Sequence, residues 1–236
     1  MISIVIPVLN EAETIGKLLP HLIENSSLKN ISEIIVVDGG SDDKTTSIVA
    51  DQAKHSQDTS NIQLLTSSKG RAIQMNRGTR QATGKILYFL HADSFPPKNF
   101  DKLIIDEVIK EKLAGCFKMK FDHNHWWLQL ASWLTHFRWR ACRGGDQSQF
   151  ITKNLFEEIG GYNEEFIIYE DNILINELFK RKQFVVIQEW IITSARLYKR
   201  KGIWTLQYHF WAIYVKRWFG ASADDIYRYY RKYIAG

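Results

Sequence analysis

The chain has 236 residues and a mass of 27.6 kDa, a size that fits one large domain around a single core. Hydrophobic residues at 45% and charged residues at 24% exclude a disordered chain, and two cysteines, Cys116 and Cys142, exclude a disulfide framework or a four-thiolate zinc site. The net charge of +5 is concentrated at one end: residues 196–236 hold nine Lys/Arg against two Asp, a net of +7, leaving −2 on residues 1–195 from 22 basic and 24 acidic side chains, so the tail suits an anionic or interfacial partner.

Residues 2–6 form a β-branched run that breaks at Pro7; without a basic leader the run reads as a buried strand and not a signal peptide, and the cysteine usage fits a reducing cytoplasm. A helical pattern follows through Ile15, Leu18, Leu19, Leu22 and Ile23, with Asn10 and Glu13 at capping-box spacing. The cycle recurs. A strand at 34–37 runs into Asp38-Gly39-Gly40-Ser41-Asp42, a helix is predicted over 45–53, a short strand over 62–65, a helix over 71–82 despite Gly78, and a strand over 86–90 ending at His91-Ala92-Asp93.

Alternating strands and helices predict an α/β fold with a mainly parallel central sheet and helices on both faces. Ligands of such sheets bind outside the carboxyl ends of the strands, where the loop after the first strand, Asp38 and Asp93 all fall. The second half is less regular. It predicts a strand at 115–121, an aromatic helix over 126–139, a Gly144-Gly145 turn, a helix over 172–181, strands at 184–187 and 191–195, and one or two amphipathic helices in the tail.

Asp38 precedes two glycines, which permit a tight turn and close approach of a flat or phosphorylated ligand; its carboxylate suits a base or ribose, or equally its own turn. Asp93 is suited to hold Mg2+ or Mn2+ against a diphosphate, the alternative being a cap on a helix starting near Pro97. His91 reads as a packed residue. Lys69 and Arg71 flank Gly70 and suit phosphate, whereas Arg77 and Arg80 fit a solvated helix face. Glu170 and Asp171 open the helix bearing Leu174, Ile175, Leu178 and Phe179; one of them suits a general base, although acids there also complement the helix dipole.

Three segments, Ile4-Val5-Ile6-Pro7-Val8-Leu9-Asn10-Glu11, Val36-Val37-Asp38-Gly39-Gly40-Ser41-Asp42-Asp43 and Tyr169-Glu170-Asp171, resemble in order and spacing the family 2 glycosyltransferases of the GT-A type, over roughly residues 1–182. Lys69-Gly70-Arg71-Ala72 through Asn76-Arg77-Gly78, with Leu90-His91-Ala92-Asp93, is similar to a small bacterial subgroup. The resemblance implies that Pro7, Asn10, Glu11, Asp38, Gly40 and Ala92 shape the nucleotide-sugar pocket and that Lys69 and Arg71 contact phosphate. It further implies that Asp93 is the last acid of the metal motif, that Asp171 with Glu170 is the catalytic pair, and that Gly145, Asp146 and Gln147 line donor and acceptor. His91 stands where the family has its first metal acid, so the divalent ion would be weakly held. Residues 1–200 are then the GT-A domain, with 1–95 the nucleotide-sugar half and 96–200 the acceptor half.

The tail, 201–236, is too polar to span a bilayer; its aromatic and basic helix suits a membrane interface at the inner face and a lipid-linked acceptor, packing on the sheet, or a homodimer contact. The competing functions are a catalytically lapsed nucleotide-sugar-binding or membrane-recruitment protein and a sugar-phosphate nucleotidyltransferase, which would want a Gly-rich loop after the first strand. No Gly-X-Gly-X-X-Gly supports a dehydrogenase, and no module supports nucleic-acid binding.

Overall fold

A computed structural model describes residues 1–55, 61–144 and 147–235. The elements run β1 (Ile2–Val8), α1 (Ala12–Glu24), β2 (Ile31–Asp38), α2 (Thr45–His55), β3 (Ile62–Thr66), α3 (Arg71–Gln81), β4 (Ile86–Phe89), β5 (Ser94–Phe95), α4 (Phe100–Ile109) and β6 (Ala114–Phe121). They continue with α5 (Trp126–Leu134), a short turn of 3-10 helix (Arg140–Cys142), β7 (Gln149–Thr152), α6 (Lys153–Ile159), α7 (Glu170–Lys180), β8 (Phe184–Thr193), α8 (Arg196–Lys201), α9 (Ile203–Trp218) and α10 (Ala223–Tyr233).

One sheet has the order β3-β2-β1-β4-β7-β6-β8-β5. β1 is parallel to β2 and β4, β2 to β3, and β6 to β8, while β7 runs against β4 and β6 and β5 runs against β8. Following those pairings, six strands share one direction and only β5 and β7 oppose it. The carboxyl ends of β1, β2, β3, β4, β6 and β8 therefore lie on one edge. Pro7 is buried in β1, and it sits beyond Val5↔Phe89, the last β1–β4 pair, so its missing amide takes no bond from that neighbour.

Two apolar layers cover the sheet. Ile4, Ile6, Leu18, Leu22, Val36, Tyr88 and Phe117 build one, and Val5, Val37, Met75, Phe89, Ile151, Leu174 and Leu178 the other. The glycine inside α3 has a steric cause: a Cβ on Gly78 would lie 2.5 Å from Val5 Cγ1 and 3.1 Å from Val37 Cγ2, so α3 reaches the sheet only without one. Closer packing repays the weaker helix propensity. At the amino end of the sheet the buried Glu33 carboxylate accepts from Ser3, from the Thr83 amide at 3.0 Å and from the Thr83 hydroxyl, joining β1, β2 and the entry to β4.

Several sequence expectations are corrected. Asn10 does not cap α1: it is left-handed at φ 57°, its side-chain oxygen accepts from Asp42 N, and the helix starts behind Glu11 without a side-chain cap. The aromatic helix stops at Leu134, well before Trp139. The helix of the acidic pair starts at Glu170 and not at Asn172. The two strands expected at 184–187 and 191–195 are one strand, β8, in which Ile187 pairs with Phe117 and Trp190 with Lys118, so Gln188 and Glu189 form a bulge.

The tail does not stand apart from the sheet domain. Leu206, Ile213, Ile226 and Ile234 of the last two helices and their end bury a small core with Phe166 and Ile168. A second contact joins α9 to α5, where Trp127 packs on Trp204 and Trp211 and donates from Nε1 to Gln207 at 3.1 Å.

Candidate active site

The loops after β1 and β2 are stitched together. Asn10 N donates to Ser41 Oγ at 2.9 Å, Glu11 N to Thr45 Oγ1 at 2.8 Å, and Ala12 N to Asp43 Oδ2 at 3.2 Å. The Thr45 hydroxyl, with backbone amides, holds the Asp43 carboxyl below its ordinary value. Gln74 of α3 braces the same edge from below: its buried Nε2 donates to Val8 O at 2.8 Å and Val37 O at 2.7 Å, closing the ends of β1 and β2.

Asp38 ends β2 and is buried, accepting from Gly40 N at 3.0 Å and from the amide and hydroxyl of Ser41. Its own turn, with Gly40 at φ 94°, therefore uses the carboxylate that would also face a base. Asp93 does not cap α4, which begins at Phe100 behind Asn99. Its carboxylate instead faces Arg196, whose Nη2 lies 3.4 Å from Oδ2 and also contacts Glu11 Oε1. Ala92, just before it, is buried.

Chain order explains why these three side chains meet. In the order β3-β2-β1-β4 the crossovers reverse between β1 and β4, which opens a crevice at their carboxyl ends. Glu11 follows β1, Asp93 follows β4, and Arg196 follows β8 on the same edge. Sequence reading missed Arg196 because it opens a basic run, Arg196-Leu197-Tyr198-Lys199-Arg200-Lys201, that reads as surface; its place just past a strand that ends at Thr193 was the available signal.

The acidic pair sits at the start of α7, which leads into β8 and so begins at this same edge. Asp171 is 7% exposed and Glu170 fully buried. Glu170 is paired with Arg71, the first residue of α3, at 2.9 Å from Nε, so Arg71 is anchored to an acid. Lys69 is exposed in the loop before it. Burial, with Asp171 and Glu170 nearby, holds the Tyr162 phenol well above its ordinary value, so it keeps its proton beside the acids. Tyr169, which precedes them, is left-handed at φ 74°, a conformation costing a bulky residue about 1–3 kcal/mol. The ring of Tyr214 in α9 packs on it at 5.5 Å.

Arg140 fastens the 3-10 turn to α7 through Asn172 and Asn176. Gln147 is turned inward: it is buried, donates to Cys142 O at 2.6 Å, and accepts from Arg143 Nη1 at 2.6 Å and from Cys116 Sγ at 3.3 Å. Its side chain thus holds the protein together at that turn. Gly145 and Asp146 lie outside the described residues.

The residues do not fit a resident divalent ion. Among the described residues no group of three or more His, Cys, Asp or Glu is placed to hold one, and the single carboxylate at the expected position already faces a guanidinium. What the edge does offer is the crevice of the β1/β4 reversal, bordered by Arg196, with a buried acid pair on the same edge.

The sequence matches the model of glycosyl transferase family 2 over residues 3–172. It is 34% identical over 121 residues to a Methanococcus voltae dolichyl N-acetyl-alpha-D-glucosaminyl phosphate 3-beta-D-2,3-diacetamido-2,3-dideoxy-beta-D-glucuronosyltransferase, covering 48% of this chain and 37% of that one. It is 30% identical over 133 residues to a Proteus mirabilis undecaprenyl-phosphate 4-deoxy-4-formamido-L-arabinose transferase, covering 56% of this chain and 40% of that one. The chain thus spans well under half the length of these curated relatives. The fold is similar to that of the mannosyltransferase PcManGT from Pyrobaculum calidifontis, solved with GDP-Man and Mn2+, at a TM-score of 0.68 and 19% identity over 100% of this chain and 64% of that one.

Proposed function

The chain belongs to glycosyl transferase family 2, and on that footing we propose that it moves a glycosyl group from a nucleoside diphosphate sugar to an acceptor hydroxyl with inversion. The observation that carries this reading is the buried pair Glu170 and Asp171 at the start of α7, on the same edge as the loops that follow β1, β2 and β4. Residues 1–95 form the donor half, with Pro7, Asn10, Glu11, Asp38, Gly40, Ala92 and Asp93 around the nucleotide and diphosphate. Residues 96–200 form the acceptor half, and 201–236 the tail.

In the transfer, Asp171 accepts the acceptor hydroxyl proton as the oxygen forms its bond to the anomeric carbon. The bond from that carbon to the diphosphate breaks on the opposite face, and its electron pair leaves with the nucleoside diphosphate. Glu170 and Arg71 position this end of α7, and Tyr162 keeps the surroundings of the acids closed to water. The turn after β4 offers a single carboxylate, Asp93, and no step is assigned to a divalent ion.

The test is calorimetric titration of UDP-, GDP- and dTDP-sugars, followed by release of nucleoside diphosphate. One donor should bind and turn over slowly, and Asp38→Ala should weaken it by about tenfold or more, the worth of a charged hydrogen bond. A protein that binds none of the three would end the proposal, and one that binds a donor without any turnover would favour the catalytically lapsed nucleotide-sugar-binding reading.

In this reading the acceptor is met at a membrane surface. Trp126, Trp133, Trp204 and Trp211 are exposed along α5 and α9, Trp218 and Phe219 are 85% and 83% exposed at the end of α9, and the tail is basic. The polyprenyl-phosphate names of the two curated relatives support a lipid-linked acceptor. No helix among the described residues is long and apolar enough to cross a membrane. Sedimentation with phosphatidylglycerol vesicles should carry the protein down, and the double change Trp218→Ser, Phe219→Ser should abolish most of that binding. Equal sedimentation of parent and variant, or of neither, would reject the surface placement.

A further inference from the structure

We propose that Arg196 is the fixed cation of the donor diphosphate site, standing across from Asp93 where a divalent ion would otherwise sit, so that the diphosphate is bound without a metal ion. The inference rests on the donor reading above and names what that site uses for charge.

The position comes from topology. Glu11 and Asp93 border the crevice at the β1/β4 reversal, and Arg196 spans it, touching both through Nη2. The backbone that delivers it is fastened to the same wall: Ser194 N donates to Asp93 O at 3.2 Å, Arg196 N to Ser194 Oγ at 3.2 Å, and Ala195 N to Asp122 Oδ1 at 2.7 Å. The guanidinium is thus held in place by the protein.

The chemistry follows. Two carboxylates facing a crevice would repel a diphosphate, and a guanidinium between them offsets that charge. Both acidic contacts fall on Nη2, which leaves Nε and Nη1, without a hydrogen bond or ion pair among the described residues, to donate singly to phosphate oxygens from two sides of the guanidinium, on a side chain that is 45% exposed. The Glu11 hydrogen bond holds the Arg196 guanidinium above its ordinary value, so it carries charge at any working pH. A divalent ion at Asp93 would have to displace this arginine, and with His91 in the neighbouring position there is no second carboxylate in that turn to compensate. As the leaving diphosphate gains negative charge, a cation already fixed there stabilises it without reorganisation.

The experiment is calorimetric titration of UDP, GDP and dTDP, each in EDTA and in MnCl2, into the parent, Arg196→Ala and Arg196→Lys, with Mn2+ binding alone followed by electron paramagnetic resonance. The parent should bind one diphosphate with the same affinity in both buffers. Arg196→Ala should weaken it about ten- to a hundredfold in EDTA, and Arg196→Lys less. Removing the guanidinium also leaves Glu11 and Asp93 facing each other, so Arg196→Ala should bind Mn2+ where the parent does not, a gain that misfolding cannot imitate. A parent that binds a diphosphate only with Mn2+, or an Arg196→Ala variant unchanged in EDTA, overturns this inference and leaves the donor reading intact. A parent that binds no diphosphate in either buffer overturns the donor reading and this inference with it.

Discussion

Asp171→Asn should lower the rate of nucleoside diphosphate release in the presence of acceptor by about a hundred- to ten-thousandfold, the range expected when a positioned general base is removed, while donor affinity stays within about twofold. The reasons are local. Asparagine keeps the size and shape of the side chain in the first turn of α7, where Asp171 is 7% exposed. The proposed donor contacts lie on other loops, so the binding step should be spared and only proton acceptance lost. Glu170→Gln is the informative partner: it removes the carboxylate charge that faces Arg71 Nε, and should lower thermal stability as well as rate. If Asp171→Asn keeps more than ~10% of the parent rate, the base is elsewhere.

Gly115→Ala should be the most damaging change outside the site. A Cβ there would lie 2.4 Å from Val185 O, 2.7 Å from Val185 Cγ1 and 2.8 Å from Phe150 Cε1. Gly115 pairs with Phe150 on β7 and with Val185 on β8, so neither side can move without breaking a ladder. Overpacking of this kind costs about 1–3 kcal/mol, and contact with a backbone oxygen puts this position at the upper end. The expected result is a large drop in the urea midpoint with an unchanged slope; a drop below ~0.5 kcal/mol would mean that β6 and β8 separate easily.

The first half of the fold was legible because its strands are apolar, β-branched and buried on both faces, the pattern that parallel sheets impose. β5 and β7 were not. Ser94–Phe95 is too short to show alternation, and Gln149–Thr152 is a strand because β4 and β6 flank it, a tertiary fact. The polar pair Gln188 and Glu189 looked like a break between two strands, when a bulge lets both residues leave the ladder and β8 continue. The placing of Asp38, Asp93, Glu170 and Asp171 at the carboxyl edge was readable because each lies at the end of an apolar run or the start of an apolar stripe. Arg196 and Tyr162 were not, since a basic residue in a basic run and a lone tyrosine carry no periodic signal; Gln147 was assigned to the pocket by its motif, while burial commits its side chain to Arg143 and Cys116.

The small core that the tail shares with Phe166 and Ile168 ties α9 and α10 to the segment that leads into α7. Tyr214 packs on Tyr169 and Arg217 lies over Phe166 at 5.2 Å, one residue and four residues upstream of Glu170. A deletion after Lys201 would uncover Phe166 and Ile168 and release the left-handed Tyr169, so the acid pair would lose its register before any surface role of the tail came into play. A pull or a press on α9 reaches Glu170 and Asp171 through a lever only a few residues long.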